Sequence, residues 1–246
     1  MKKLTLKNID KAIKTAKSNT YFENLYRIYN TIPQGRCLGC TKCCMESVQT
    51  HFVEFLNIFD YLRSNRRLYE ELYPKIIRYY FLEMVKKEHC PFLDKEGLCS
   101  IYQYRPLVCR LFGHVEEEEY EESYKNVLRQ NIQNMKLFKN KYKILLPKEV
   151  LHYKIDYCRN FEVDKRIDRV RRQNMIDSIF TMESAFFMRG LITEDFIGTG
   201  LVSWFVYTAF DMEEAGNLRI QVMKEYLEEG DSKTLSNIIG KQKIVV

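Results

Sequence analysis

Apolar side chains recur at helical intervals along most of the chain, and the rhythm fails in one stretch. Ile9, Ile13 and Ala16, then Phe22, Leu25, Tyr26 and Tyr29, predict helix over 4–31, closed by Pro33 and Gly35. Thr50 is the expected N-cap of a second helix with Phe52, Leu56, Phe59 and Leu62 on one face. A third is expected to start at Pro74, a residue suited to a first turn, and to run through Ile77, Phe81 and Met84. Residues 90–113 break the pattern: Pro91, the turn Asp94-Lys95-Glu96-Gly97 and Pro106 predict a compact loop, with room for a short hairpin.

Beyond the loop, Glu116 to Glu119 with Glu121 and Glu122 lead into a helix ending near Lys141. Carboxylates there suit the positive end of the helix dipole, a simpler reading than acidic docking or metal loading. A short strand is expected over 143–147. Asp164 to Arg189 reads as one long amphipathic segment, and Thr193 as the cap of an apolar helix through Phe210. Asp211 with Glu214 forms a capping box for a helix that Gly230 stops, and Ser232 to Ile239 makes a final short helix. The fold class is therefore mainly α: a helical bundle with a loop-rich cysteine lobe. Its expected parts are an N-terminal helix over 1–34, a cysteine-cluster region over 35–115 and a C-terminal helical region over 116–246, all in one continuous globular unit.

Composition agrees with this reading. The hydrophobic set makes up 46% and charged residues 29%, with only 10 Gly and 5 Pro in 246 residues, which favours helices around one large core. The net charge of +6 permits an acidic partner without demanding one. No apolar run follows the early lysines, and Phe196 to Phe210, around Trp204, is too short for a bilayer. A reducing cytoplasm is the expected setting, where clustered thiols serve as metal ligands more often than as disulfides.

The chemistry lies in the cysteines. Cys37, Cys40, Cys43 and Cys44 fall in CLGCTKCC, and Cys90, Cys99 and Cys109 in CPFLDKEGLCSIYQYRPLVCR, with Cys158 apart. A C-x2-C bite points two sulfurs at one ion, and C-x2-C-x2-C is the opening spacing of bacterial ferredoxins. Side chains of neighbouring residues on an extended backbone point apart. Cys43 and Cys44 are thus expected to serve different centres, or one of them to be a core or supporting thiol. By count, two four-thiolate sites or one site with spare cysteines are both allowed. Cys37, Cys40 and one of Cys43 or Cys44 are expected to meet the Cys90–Cys109 loop at a shared site. Four thiolates suit zinc and iron–sulfur alike; the triple spacing and Cys90-Pro91 favour a 4Fe-4S cluster. Arg105 and Arg110 read either as cofactor-binding groups that offset thiolate charge or as structural ion-pair residues. His89 and His114 could substitute as ligands, but local packing explains them as well.

Together these motifs, with Ile101, Tyr102 and Pro106 in register, resemble the CxxCxxCC (YkgJ-type) cysteine-cluster family of zinc- or iron-chelating proteins, over residues 35–115. That resemblance implies metal binding. It also implies kinship with flagellin lysine N-methylases, and so the alternative of an S-adenosylmethionine-dependent protein lysine N-methyltransferase acting on a protein substrate. Against that alternative, no strand-and-glycine-loop fingerprint is present, and Gly198-Thr199-Gly200 reads as close helix packing. A third class, nucleic-acid binding, would use Arg63, Arg66 and Arg67, or the stretch Lys165, Arg166, Arg169, Arg171 and Arg172. Aromatic residues are not interleaved with either group, which favours ordinary solvent faces.

Overall fold

A computed structural model describes residues 4–241. It contains α1 (Leu6–Ser18), α2 (Tyr21–Asn30), α3 (Phe52–Ser64), α4 (Arg66–Leu82), α5 (Leu107–Leu111), α6 (Glu117–Leu137), α7 (Lys148–Leu151), α8 (Arg169–Met188), α9 (Leu201–Ala209), α10 (Met212–Glu229) and α11 (Lys233–Lys241). No strand forms among the described residues; extended backbone pairs only as isolated bridges. The fold is mainly α. No described helix is long and apolar enough to cross a membrane.

The centre is aromatic. Phe52, Phe55 and Phe59 of α3 are fully buried against Trp204 and Phe205 of α9. Phe55 and Phe196 stack on the Trp204 indole at 5.5 Å each, and the indole Nε1–H donates to the Thr50 carbonyl at 2.8 Å. Burying each such ring contributes about 1.5–3 kcal/mol, so α3 and α9 hold the bundle together. Two carboxylates fasten α3 to its surroundings. Glu183 of α8 accepts from the Phe52 amide and contacts His51 Nδ1 at 3.0 Å. Glu54 accepts from the Tyr29 hydroxyl at 2.6 Å, the His51 amide at 3.1 Å and the Leu107 amide at 2.6 Å. Glu54 thus ties α2, α3 and the start of α5 at one buried point.

Several boundaries differ from the sequence pattern, each for a physical reason. The stretch 4–31 is two helices, because Thr20 adopts a left-handed φ of 55° between them. Thr50 lies one residue before the N-cap of α3, which is His51; its hydroxyl donates to the Val48 carbonyl. Pro74 sits inside α4, which begins at Arg66. Burial of Tyr69, Leu72, Tyr73, Ile76 and Ile77 carries the helix through the missing amide. The expected strand at 143–147 does not form: Lys143 takes a left-handed φ of 59°, the Ile144 amide donates back to the Phe138 carbonyl at 3.1 Å, and α7 follows. The apolar segment after Thr193 is interrupted: Gly198 takes φ 79° and α9 starts only at Leu201. A side chain at Gly200 would meet the Ser47 hydroxyl at 2.9 Å and one at Gly198 the Gln49 amide at 3.0 Å, so these glycines serve close packing. Asp211 caps α10, its carboxylate accepting from the Glu214 amide, and Gly230 ends that helix with φ 75°.

Candidate metal centre

The eight cysteines are all free thiols, and they lie on three pieces of chain. The first is the loop 35–46. Gly39 (φ 65°) and Thr41 (φ 58°) are left-handed, so this loop reverses twice within a few residues and then closes as a turn, with the Cys44 amide on the Thr41 carbonyl at 2.8 Å. Within that turn the backbone is not extended. The Cys43 and Cys44 side chains consequently hydrogen-bond to each other and do not diverge as the extended-chain argument expects.

The second piece is 90–114. Leu93 bridges Cys99, the Ser100 amide donates to the Phe92 carbonyl at 2.8 Å, and Asp94 accepts from the amides of Glu96 and Leu98 across the turn. That is the expected hairpin, in its smallest form. A 3-10 turn at Tyr102–Tyr104 and the short α5, carrying Cys109, follow. Cys90 and Cys99 pack against the hydrophobic core beside buried Phe92 and Ile101. The Cys90 amide donates to the Cys44 carbonyl at 2.7 Å, which docks the hairpin on the first loop.

The third piece lies far along the chain, between α7 and α8, and no sequence motif marks it. Arg36 and Glu162 pair in an antiparallel bridge (2.8 and 3.4 Å), and the Phe161 ring lodges between Gly35 and Gly113. A methyl group at either glycine would lie within 2.3 Å of that ring, so only glycine admits it. Lys154 pairs with Glu121 at 2.6 Å and Arg159 with Glu117 at 2.6 Å, which fastens this strap to α6. Two carboxylates of the acidic run, Glu117 and Glu121, are thus paired with the strap. Cys158 is carried on it, and with Cys40 and Cys43 it lines a cavity of about 430 Å³.

Two neighbourhoods of sulfur result. On the outside, exposed Cys40 shares its cavity with half-buried Cys158, and exposed Cys37 lines a separate one beside Phe161. Burial raises the Cys158 thiol pKa, and the charges of Cys43, Cys40 and Cys37 raise it further. Inside are Cys90, Cys99 and Cys109. Burial pushes Cys90 up to about 12, with Cys99 and Cys43 adding to it. Burial raises Cys109 strongly, helped by Cys90 and Cys99 and opposed by Arg105. The charge of Cys43 acts on both groups; its thiol is raised first by its hydrogen bond with Cys44, then by burial. Among the described residues, no three His, Cys, Asp or Glu side chains converge within reach of one ion, so ligation requires these loops to tighten. The donor set itself, thiols with little competing oxygen, fits zinc or iron.

The charged neighbours divide in the same way. The Arg105 guanidinium stacks on Tyr102 at 3.6 Å, and its charge lowers the pKa of Cys43, Cys99 and Cys109. Arg110 lies over the Tyr29 ring at 4.0 Å and donates to the carbonyls of Arg105 (2.7 Å) and Gln103 (2.5 Å), holding the turn in shape. His114 is buried with its ring 5.0 Å from Phe161, and burial lowers its pKa. His89 lines a separate cavity beside Cys90. The basic stretch is engaged in tying elements together: Arg166 donates to the Gly113 and Val115 carbonyls, Arg171 to that of Thr31, and buried Arg172 to that of His114 and to Glu119.

Residues 36–128 match the family model CxxCxxCC, described as "Putative zinc- or iron-chelating domain". The match takes in seven cysteines and leaves Cys158 and its strap outside. No curated protein and no solved structure matches the chain.

Proposed function

We propose that the protein binds an iron–sulfur cluster in the outer cleft, with Cys37, Cys40, Cys43 and Cys158 as its four thiolate ligands. The observation that carries this reading is the position of Cys158. The C-x2-C-x2-C run supplies three ligands of ferredoxin type and needs a fourth from elsewhere in the chain. Cys158 is brought against that run by the strap, and it faces a cavity that Cys40 and Cys43 also line. The family description, zinc- or iron-chelating, agrees with a thiolate metal site at this place.

An iron–sulfur cluster held there would supply one-electron redox chemistry or a store of iron and sulfide. The protein's part is to hold and screen it. Gly39 and Thr41 bend the loop, Cys40 and Cys43 share a cavity with the strap that Phe161 fixes, and Arg105 offsets negative charge near Cys43. Exposure of Cys37 and Cys40 leaves the outer edge open to a partner protein or a small donor. No feature of the described residues favours S-adenosylmethionine binding.

Purification without oxygen tests the proposal. The expected product is brown and contains iron with acid-labile sulfide. A colourless protein with stoichiometric zinc and no sulfide overturns it.

A further inference from the structure

We infer that Cys40 and Cys158 form a reversible redox latch: in the metal-free protein a hydroperoxide joins them in a disulfide across the outer cleft. The disulfide chemistry stands apart from the cluster reading; only its consequence, the loss of two proposed cluster ligands, rests on that reading.

Register carries the inference. Arg36 and Glu162 form an antiparallel bridge that exchanges both amide-to-carbonyl hydrogen bonds, at 2.8 and 3.4 Å. In antiparallel pairing, residues equally far from such a pair, in opposite chain directions, are matched across the two segments. Cys40 lies four residues after Arg36 and Cys158 four residues before Glu162, so the bridge matches these two cysteines. The same register matches Cys37 with Phe161, and those two residues do line one cavity. Among the described residues no further bridge joins the two segments. Gly39 turns left-handed there, and Cys40 and Cys158 line the cavity of about 430 Å³ that the segments enclose. Nothing lies within 4 Å of where a Gly39 side chain would stand, so the loop has room to close on the strap.

The two thiols suit different parts in one reaction. Cys40 is exposed and open to a small oxidant, whereas Cys158 is half-buried on the strap. Cys43 also lines the cavity, but it follows the Thr41 turn, lies out of register and is bonded to Cys44. The Cys40 sulfur attacks one oxygen of hydrogen peroxide; the O–O bond breaks, leaving a sulfenic acid and a water. The Cys158 sulfur then attacks the Cys40 sulfur, and the S–O bond breaks as the hydroxyl leaves with the Cys158 proton as a second water. In sum, two thiols lose two hydrogens and one peroxide becomes two waters. The joined cleft accepts no cluster until a dithiol restores both thiols, and Cys40 is kept from irreversible oxidation.

Peptide mapping tests the latch in the wild-type chain. Chelator-treated protein, held without oxygen, receives one equivalent of hydrogen peroxide; free thiols are capped with N-ethylmaleimide and the protein is digested with trypsin unreduced. The expected product has lost two hydrogens and joins peptide 37–42 to peptide 155–159, with fragmentation placing the link at Cys40. Dithiothreitol should reverse it. A link from Cys158 to Cys37 or Cys43, a Cys43–Cys44 disulfide with Cys158 free, sulfinic acid at Cys40, or no reaction overturns the inference. Ferrous iron and sulfide are then offered without oxygen to the reduced and the cross-linked protein. Uptake by the reduced form alone is expected, and equal uptake by both overturns the closure. No uptake by the reduced form refutes the cluster reading and leaves the mapping to judge the latch.

Discussion

Two glycines and a phenylalanine decide whether the last cysteine reaches the others. A methyl at Gly113 would sit 2.3 Å from the Phe161 ring, and one at Gly35 2.1 Å, so the ring cannot stay where it is if either is replaced. Gly113→Ala is expected to release the strap and remove the outer metal while leaving helical content unchanged, as metal analysis and circular dichroism would show. Phe161→Ala should do the same and cost about 2 kcal/mol in urea unfolding, less than a fully buried phenylalanine because this ring is half exposed. The thiols make a prediction of another kind. Cys90 is raised by burial from an ordinary 9 to about 12, so folding favours its neutral form. That contribution is complete below pH 9 and is lost as pH rises toward 12. Metal-free protein should therefore lose stability steadily over this window in denaturant titrations. Metal-loaded protein, whose ligands are already thiolates, should not lose it in the same way.

At the scale of elements, α3 is the part on which the cysteine region is mounted, and its N-terminus is held by two buried carboxylates. Burial alone would lower the His51 pKa, but the hydrogen bond and charge of Glu183, with the charge of Glu54, outweigh it and leave it raised. A raised histidine adds stability that is full below its ordinary value of 6.5 and lost as pH climbs through the folded value. Glu183→Gln is expected to bring the His51 pKa down, seen by NMR titration, and to destabilise the fold by about 3 kcal/mol, since a buried charge pair is broken. Most helices were legible from periodicity, because α1 and α10 bury one face and carry ordinary end signals, whereas α3 is buried at every position from 52 to 59. The start of α4 was not legible. Its buried aromatic and aliphatic face outweighs Pro74, and the strength of that face depends on α9, a long way off in sequence. The strand expected at 143–147 failed for a local reason: Lys143 is left-handed and the Ile144 amide closes the preceding helix on the Phe138 carbonyl.

For the whole molecule, the cysteine motif is legible while its closure is not. Seven thiols announce themselves by spacing, and the matched family model spans those seven and no more. The eighth is delivered by contacts that leave no local mark: the Arg36–Glu162 bridge, the Phe161 ring between two glycines, and ion pairs from α6 to Lys154 and Arg159. The C-terminal helices thus do more than complete the bundle; they carry the strap that covers the cysteine loop. Along the run Cys37–Cys44, Cys37 and Cys40 are exposed and Cys43 and Cys44 half-buried. Iron, zinc and acid-labile sulfide measured side by side in anaerobically purified wild-type and Cys158→Ser protein test this account most directly. The account predicts iron and sulfide in the wild type and their loss in the variant. Iron and sulfide retained at wild-type level without Cys158 would contradict it.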